Sequence, residues 1–240
     1  MKRVAVIQSN YIPWKGYFDL IHDVDVFIFH DDLQYTKNDW RNRNKIKTPA
    51  GLDWLTIPVG TSEHRLICDV EIKDASWQKK HWNLLRTHYA RAPHFATYRE
   101  LLREVYLGKR WDNLSALNQH LIKTISRDLL GITTEFLDSR ELRPEGAKQD
   151  RLLDLLKKAG ADHYLSGPAA KDYIEPDRFA AAGIELAWKS YAGYPEYPQL
   201  FPPFEHGVSI LDLLLSAGPE APTYIWGWRS AVTEGGAPPR

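Results

Sequence analysis

The sequence predicts an α/β fold: a largely parallel sheet with flanking helices and an inserted helical block. Three observations carry that prediction. RVAVIQ (3–8) and VDVFIFHDD (24–32) are short apolar runs with β-branched residues, the pattern of strands covered on both faces. Between them stands GYFDLIHDV, a helical segment where a hairpin turn would be, as a parallel crossover requires. From Ser76 the apolar spacing becomes helical and stays so to about residue 130.

Each element follows from local chemistry. After the first strand, SNYIPWKGYF is a loop punctuated by Pro13 and Gly16. NKIKTPAGLDWLTIPV alternates as a hairpin turning near Pro49–Gly51, and HRLICDVEIK reads as another strand. The helical block opens with WQKKHWNLLRTHYARAPHF, whose Trp77, Trp82, Leu85 and Tyr89 fall at helical spacing before Pro93. ATYRELLREVYLGK and NLSALNQHLIKTISRDLLG are two further helices, the second closing on Gly131. ITTEFLDS (132–139) is strand-like, and a helix over about 150–159 stops at Gly160. HYLS and GIELAWKSY are strands, and a Pro-rich loop leads into a last helix within VSILDLLLSAG. Residues 1–218 thus form a single α/β domain with an insertion at about 76–130. The Pro-, Gly- and Ala-rich segment 219–240 reads as a peripheral tail.

Composition narrows the function. With 240 residues, 43% of them hydrophobic, the chain can bury a full core. Lys plus Arg and Asp plus Glu both total 31, a balance that argues against a nucleic-acid or membrane-surface binder. Cys68 is the only cysteine, and no Cys/His cluster has zinc spacing, so no metal site is predicted. The N-terminus turns polar too soon for a signal peptide, and no apolar run approaches the ~20 residues of a membrane span. The expected location is cytoplasmic. Nine Trp and twelve Tyr are many for this length, and such rings serve both cores and polar ligands.

Four stretches carry candidate chemistry. In parallel sheets, ligands sit outside the carboxyl ends of the strands, and both opening strands end in polar residues. QSNYIPWKGYFDLIH (8–22) offers Gln8, Asn10, Tyr11, Trp14 and Lys15, with a helix start at Gly16 suited to phosphate. It resembles the nucleotidylyltransferase superfamily, but supplies His22 without a paired histidine and lacks a later Lys-Met-Ser-Lys-Ser-like segment. DDLQYTKNDWRNRN (31–44) places Asp31 and Asp32 on opposite faces of the strand end. Its Gln34, Tyr35, Asn38, Trp40, Arg41, Asn42 and Arg43 are candidate substrate contacts. The two arginines, alternating on one side, would clamp a phosphate or carboxylate. YLSGPAAKDY (164–173) contributes Ser166 and Lys171 as ligand contacts rather than as a nucleophile pair. YPEYPQLFPPFEHGVSILDLL (194–214) contributes Tyr197 and, as the best general-base candidate, His206. His206, Ser209 and Asp212 fall at helical spacing, with Ser209 a candidate helix cap; His81 reads as a packed histidine.

Those four stretches, in that order over about residues 3–218, resemble the WbqC-like family of bacterial proteins. The resemblance implies an enzyme of surface-glycan or amino-sugar assembly, and brings no catalytic residue set with it. The expected function is a transferase that modifies a sugar or sugar nucleotide, by acyl or aminoacyl transfer to an amino group. His206, Asp32 and Asp31 are the candidate catalytic residues. The donor would be an acyl or aminoacyl thioester, presented free or on an acyl-carrier protein. A first alternative is nucleotidyl transfer with Mg²⁺ held by Asp31 or Asp32; a second is non-catalytic sugar-nucleotide binding. The amphipathic helices of 76–130 also offer faces for a homo-oligomer.

Overall fold

A computed structural model, which describes residues 1–229, contains a five-stranded, wholly parallel sheet. Its strands are β1 (Arg3–Ile7), β2 (Val26–Phe29), β5 (Glu135–Asp138), β6 (His163–Ser166) and β7 (Glu185–Trp188). A separate antiparallel hairpin pairs β3 (Arg43–Thr48) with β4 (Gly51–Thr56). The helices are α1 (Lys15–His22), α2 (Ser76–Tyr89), α3 (Phe95–Arg103), α4 (Leu114–Thr124), α5 (Ser139–Leu142), α6 (Lys148–Lys158), α7 (Pro176–Ala181) and α8 (Ile210–Ala217). A π-helical turn extends each of α3 and α4.

Period-two alternation assigns the sheet's two faces. Ala5, Phe27 and Phe29 point toward α1, the helical block and α8, within the larger core. Val4, Val6, Val26 and Ile28 point the other way, onto Leu155 and Leu156 of α6 and Phe179 of α7. Fully covered strands need apolar side chains on both faces, which is why the opening runs do not alternate with polar residues.

The strand order is β5-β2-β1-β6-β7. The chain thus builds outward from β1 to one side, then returns and builds to the other. This is the doubly wound order, and it makes a crevice beside the carboxyl end of β1, where the connections diverge.

Three expectations change. HRLICDVEIK does not enter a sheet: Leu66 bridges Gln34, Ile67–Asp69 forms a 3-10 turn, and Glu71 bridges Asn113. Both edges of β2 are already taken by β1 and β5, so this segment runs along residues 31–35 instead, with Cys68 N–H donating to Asp31 C=O. The last helix starts at Ile210, capped by Ser209, which accepts from Leu211 N–H. His206 therefore lies in the preceding loop and shares no helix face with Asp212. Residues 219–229 are not peripheral: Ala221 and Ile225 are fully buried, and the Trp226 indole stacks on His22 at 4.1 Å. Residues 230–240 of the expected tail lie outside the described residues. Among the described residues, no helix is long and apolar enough to cross a membrane.

A buried polar knot ties the helical block to the first loop. His81 Nε2–H donates to Thr56 C=O at 3.2 Å, so its Nδ1 accepts from the Tyr11 hydroxyl at 2.9 Å. Tyr106 closes the chain with a 2.7 Å contact to Tyr11. Burial pushes the His81 imidazole down to about 4, so it is neutral in the folded protein and protonates near 6.5 when unfolded. A depressed folded value means the unfolded state binds the extra proton, so stability is lost as pH falls from about 6.5 toward 4. The His81 contribution to that loss is about 3 kcal/mol. Urea unfolding across this range, compared with His81→Gln, should show a flatter pH dependence in the variant.

Candidate functional site

The loop between β1 and α1 stands at the crevice, in an unusual conformation. Ile12 has φ of +36°, a value β-branched residues rarely adopt. Such strain persists only where the surroundings over-determine it, and here they do. The buried Asn44 amide donates to Tyr11 C=O at 3.1 Å and Ile12 C=O at 2.8 Å. Tyr11 N–H donates to Trp40 C=O, and Ile210 N–H donates to Pro13 C=O. On the far side the Trp14 indole lies against the first turn of α1, so close that a Cβ on Gly16 would sit 2.3 Å from the ring. Gly16 is there to admit a tryptophan.

This loop, the hairpin and the β7–α8 connection enclose a cavity of about 290 Å³ lined by Asn10, Pro13, Trp14, Trp40, Asn44 and Gly207. Arg41 donates to Asn10 Oδ1 and lies 3.6 Å from Asp39. Trp40 pairs with Trp54 at 5.6 Å between ring centroids, and both are about 40% exposed (42% and 39%). The Arg43 guanidinium sits 4.3 Å from the Trp54 ring, and Lys45 Nζ lies 5.3 and 5.8 Å from the Trp54 and Trp40 rings. Aromatic faces beside cations suit a sugar or base ring bearing an anionic group.

Behind Trp14 is an enclosed cation. Lys15 is 2% exposed and donates to Pro195 C=O at 3.2 Å. The rings of Tyr194, Tyr197 and Phe204 surround its Nζ at 4.9, 5.2 and 5.9 Å. Burial lowers its ammonium to about 8, against the opposing pull of Asp19 and Glu196. His206 packs on Phe204 at 4.6 Å and Tyr194 at 6.5 Å, next in the chain to cavity-lining Gly207. Burial, and then the Lys15 charge, hold the imidazole below its ordinary 6.5. Its buried Nδ1 has no hydrogen-bond partner among the described residues. A neutral imidazole with an unpartnered ring nitrogen is able to accept a proton.

The structure sorts the predicted residues. Asn10, Trp14 and Trp40 line the cavity, Arg41 holds Asn10, and Lys15 and His206 adjoin it. The expected pincer of Arg41 and Arg43 does not form, because Arg43 turns to Asn38 C=O and the Trp54 face. Asn38 is exposed at φ +56°, and Asn42 is spent on Ile57 C=O. Tyr11 and Tyr35 are core residues, fully buried or nearly so, and Tyr197 donates to the buried Asp212 at 2.8 Å. Gln8 C=O accepts from Tyr17, while Gln34 bridges Leu66 away from the cavity. Ser166 is buried against Tyr164, and Lys171 is exposed over Trp188.

Asp31 and Asp32 point in opposite directions, as expected, and neither lines this cavity. Asp31 accepts from Ser9 N–H, Ser115 and Gln119; Asp32 accepts from Ser139 and Arg151. With their oxygens occupied by donors, this pair does not fit a Mg²⁺ site. Asp19, His22 and Asp23 have ligand atoms within 4.8 Å of one another, yet Lys189 and Arg229 engage both carboxylates as ion pairs. Sequence reasoning missed Asn44, Lys45 and Trp54. The hairpin pattern held the signal, since its register sets Lys45 opposite Trp54.

Asn44→Ala would remove two donors from a strained loop and leave two buried carbonyls unpaired. The expected loss is about 2–3 kcal/mol, read as a lower urea midpoint with unchanged slope.

Comparison with known proteins places this arrangement. A Mycobacterium tuberculosis protein called uncharacterized protein Rv1507c is 46% identical over 227 residues, covering 94% of this chain and 98% of the relative. No solved structure matches the chain. The family model described as the WbqC-like protein family matches residues 8–224, which takes in the loop, the hairpin, Lys15 and His206. The chain belongs to the WbqC-like protein family.

Proposed function

We propose that the protein is a transferase that moves an acyl or aminoacyl group onto the amino group of a sugar or sugar nucleotide. The observation that carries this reading is the unpartnered His206 imidazole, next in the chain to Gly207 of a cavity walled by Trp14, Trp40, Asn10 and Asn44. Tryptophan faces beside the Asn10 amide suit a sugar ring, whose carbon faces stack while a hydroxyl bonds to the Asn10 side-chain nitrogen. Arg41 and Lys45, beside the two tryptophans, suit the phosphates of a nucleotide-linked sugar.

In this reading the acceptor's amine attacks the carbonyl carbon of a thioester donor, carried on a small thiol or an acyl-carrier protein. A carbon–nitrogen bond forms, and His206 takes the proton that the attacking nitrogen loses. The carbon–sulfur bond then breaks, and the thiolate leaves with that proton as a thiol. Lys15 contributes through charge: its ammonium disfavours imidazolium, so His206 stays neutral and basic near pH 7. Asp32 is no longer favoured as the base, because Arg151 and Ser139 occupy it.

The test is incubation with acyl and aminoacyl thioesters and a panel of amino sugars and sugar nucleotides, with mass spectrometry for a new amide. Amide formation that falls roughly 100-fold or more in His206→Gln supports the assignment. Sugar-nucleotide binding without any amide product would mean a binding protein instead.

Lys15→Gln removes a positive charge facing His206, so the imidazole should titrate at higher pH. The acid limb of the rate profile should move the same way, and NMR titration of His206 checks the shift directly.

A further inference from the structure

A second cavity, of about 520 Å³, opens on the same carboxyl side of the sheet, over the ends of β2 and β5. It shares no lining residue with the first cavity. One face of α4 supplies Ser115, Gln119, His120 and Lys123; Asn113 and Arg140 come from the helix start and from α5. Their order along α4 is the spacing of a single helix face. Lys123, Arg140 and His120 are basic or protonatable, and the remaining polar groups, Cys68, Asn113, Ser115 and Gln119, are neutral. No carboxylate is among the lining residues, all of them described.

Two buried carboxylates beneath the cavity orient this lining. Asp31 accepts from Ser115 and, at 3.1 Å, from Gln119. Asp138 accepts from Gln119 at 2.8 Å and from Arg140 through Nε and Nη2, both at 2.8 Å. Gln119 thus spans both acids, and Arg140 is pinned in one orientation. Donors held by such a second layer bind with little ordering cost. The Arg140 fork that would match a planar carboxylate is spent on Asp138. Ser115 and Gln119 give their donors to the acids below, so what is left around the open volume is Lys123, His120 and the second guanidinium nitrogen of Arg140, separate point donors that match a tetrahedral oxyanion with several acceptor oxygens.

We propose that this cavity binds a small molecule through its phosphate group, held by His120, Lys123 and Arg140, with Ser115 and Gln119 bracing the floor over Asp31 and Asp138. The inference does not rest on the chemistry assigned to His206. It gives the chain two ligand cavities on one edge of one sheet. Asp31 ties them together, since its other oxygen holds Ser9 N–H at the root of the first cavity's loop.

Pyrophosphate is the probe, titrated calorimetrically into the full chain at low salt and pH 7. Lys123→Ala should weaken binding about tenfold or more, the loss expected for one charge-assisted contact. Ala116→Glu, at an exposed lining position, should do the same by placing a negative charge in the cavity without disturbing the buried acids. Burial and Lys109 hold the His120 imidazole below its ordinary value, so a bound dianion should raise its titration midpoint. Ring-proton NMR, assigned with His120→Gln, reads this shift at the cavity itself. Citrate, a carboxylate probe, should bind more weakly than pyrophosphate. The proposal is overturned if both variants bind pyrophosphate like the parent, or if His120 titrates unchanged at saturation. Loss of pyrophosphate binding in Trp40→Ala with Lys123→Ala unaffected would also overturn it, by placing the anion in the first cavity.

Discussion

The Asn44 side chain, clamped to two carbonyls of a loop that L-residues do not adopt unaided, is the contact on which the first cavity depends. Ile12 at φ +36° would relax if those bonds were lost, and Asn10, Pro13 and Trp14 are its close neighbours in the chain. The clamp works because Asn44 belongs to a hairpin held from the other side: Ser209 N–H donates to Lys45 C=O, and Asn118 holds Arg41 C=O. The loop is thus fixed by elements distant in sequence. An amide is the one neutral side chain that presents two donors from a single nitrogen.

Electrostatics at the two cavities follow opposite designs. Around Lys15 a cation is enclosed by aromatic rings, and its charge is offset only in part by Asp19 and Glu196. That leaves a positive field at His206, which adds to the larger effect of burial in keeping the imidazole neutral. Around Asp31 and Asp138 the acids are buried beneath the surface layer, and their charge is absorbed by amide, hydroxyl and guanidinium donors. The acids orient that layer; the layer meets the solvent.

How far the sequence could be read differs between fold and site. Apolar runs at residues 3–8 and 24–32 revealed the parallel sheet, because central strands covered on both faces are mostly apolar. The helical spacing after Ser76 marked the inserted block equally well. HRLICDVEIK misled, since an alternating pattern does not say whether a sheet edge is vacant. Polar richness in DDLQYTKNDWRNRN pointed to the right neighbourhood, where Trp40 and Arg41 are found. It could not separate them from Asn42 and Arg43, which spend their bonds internally. The α4 face was invisible for a related reason: Ser115, Gln119 and Lys123 read as the solvent side of an amphipathic helix.

The sequence by itself determined the strand and helix types, the parallel pairing, the family and the segments that gather polar and aromatic groups. These are consequences of local periodicity, composition and order, which need no knowledge of neighbours. Only the tertiary structure decided the strand order, the burial of Lys15, the loop position of His206 and the split of Asp31 and Asp32 from the first cavity. Those depend on contacts such as Asn44 with Ile12 and Tyr197 with Lys15, in which the partners lie tens to nearly two hundred residues apart. A side chain's role as ligand contact or internal brace is fixed by which donor reaches it first, and that is settled by packing.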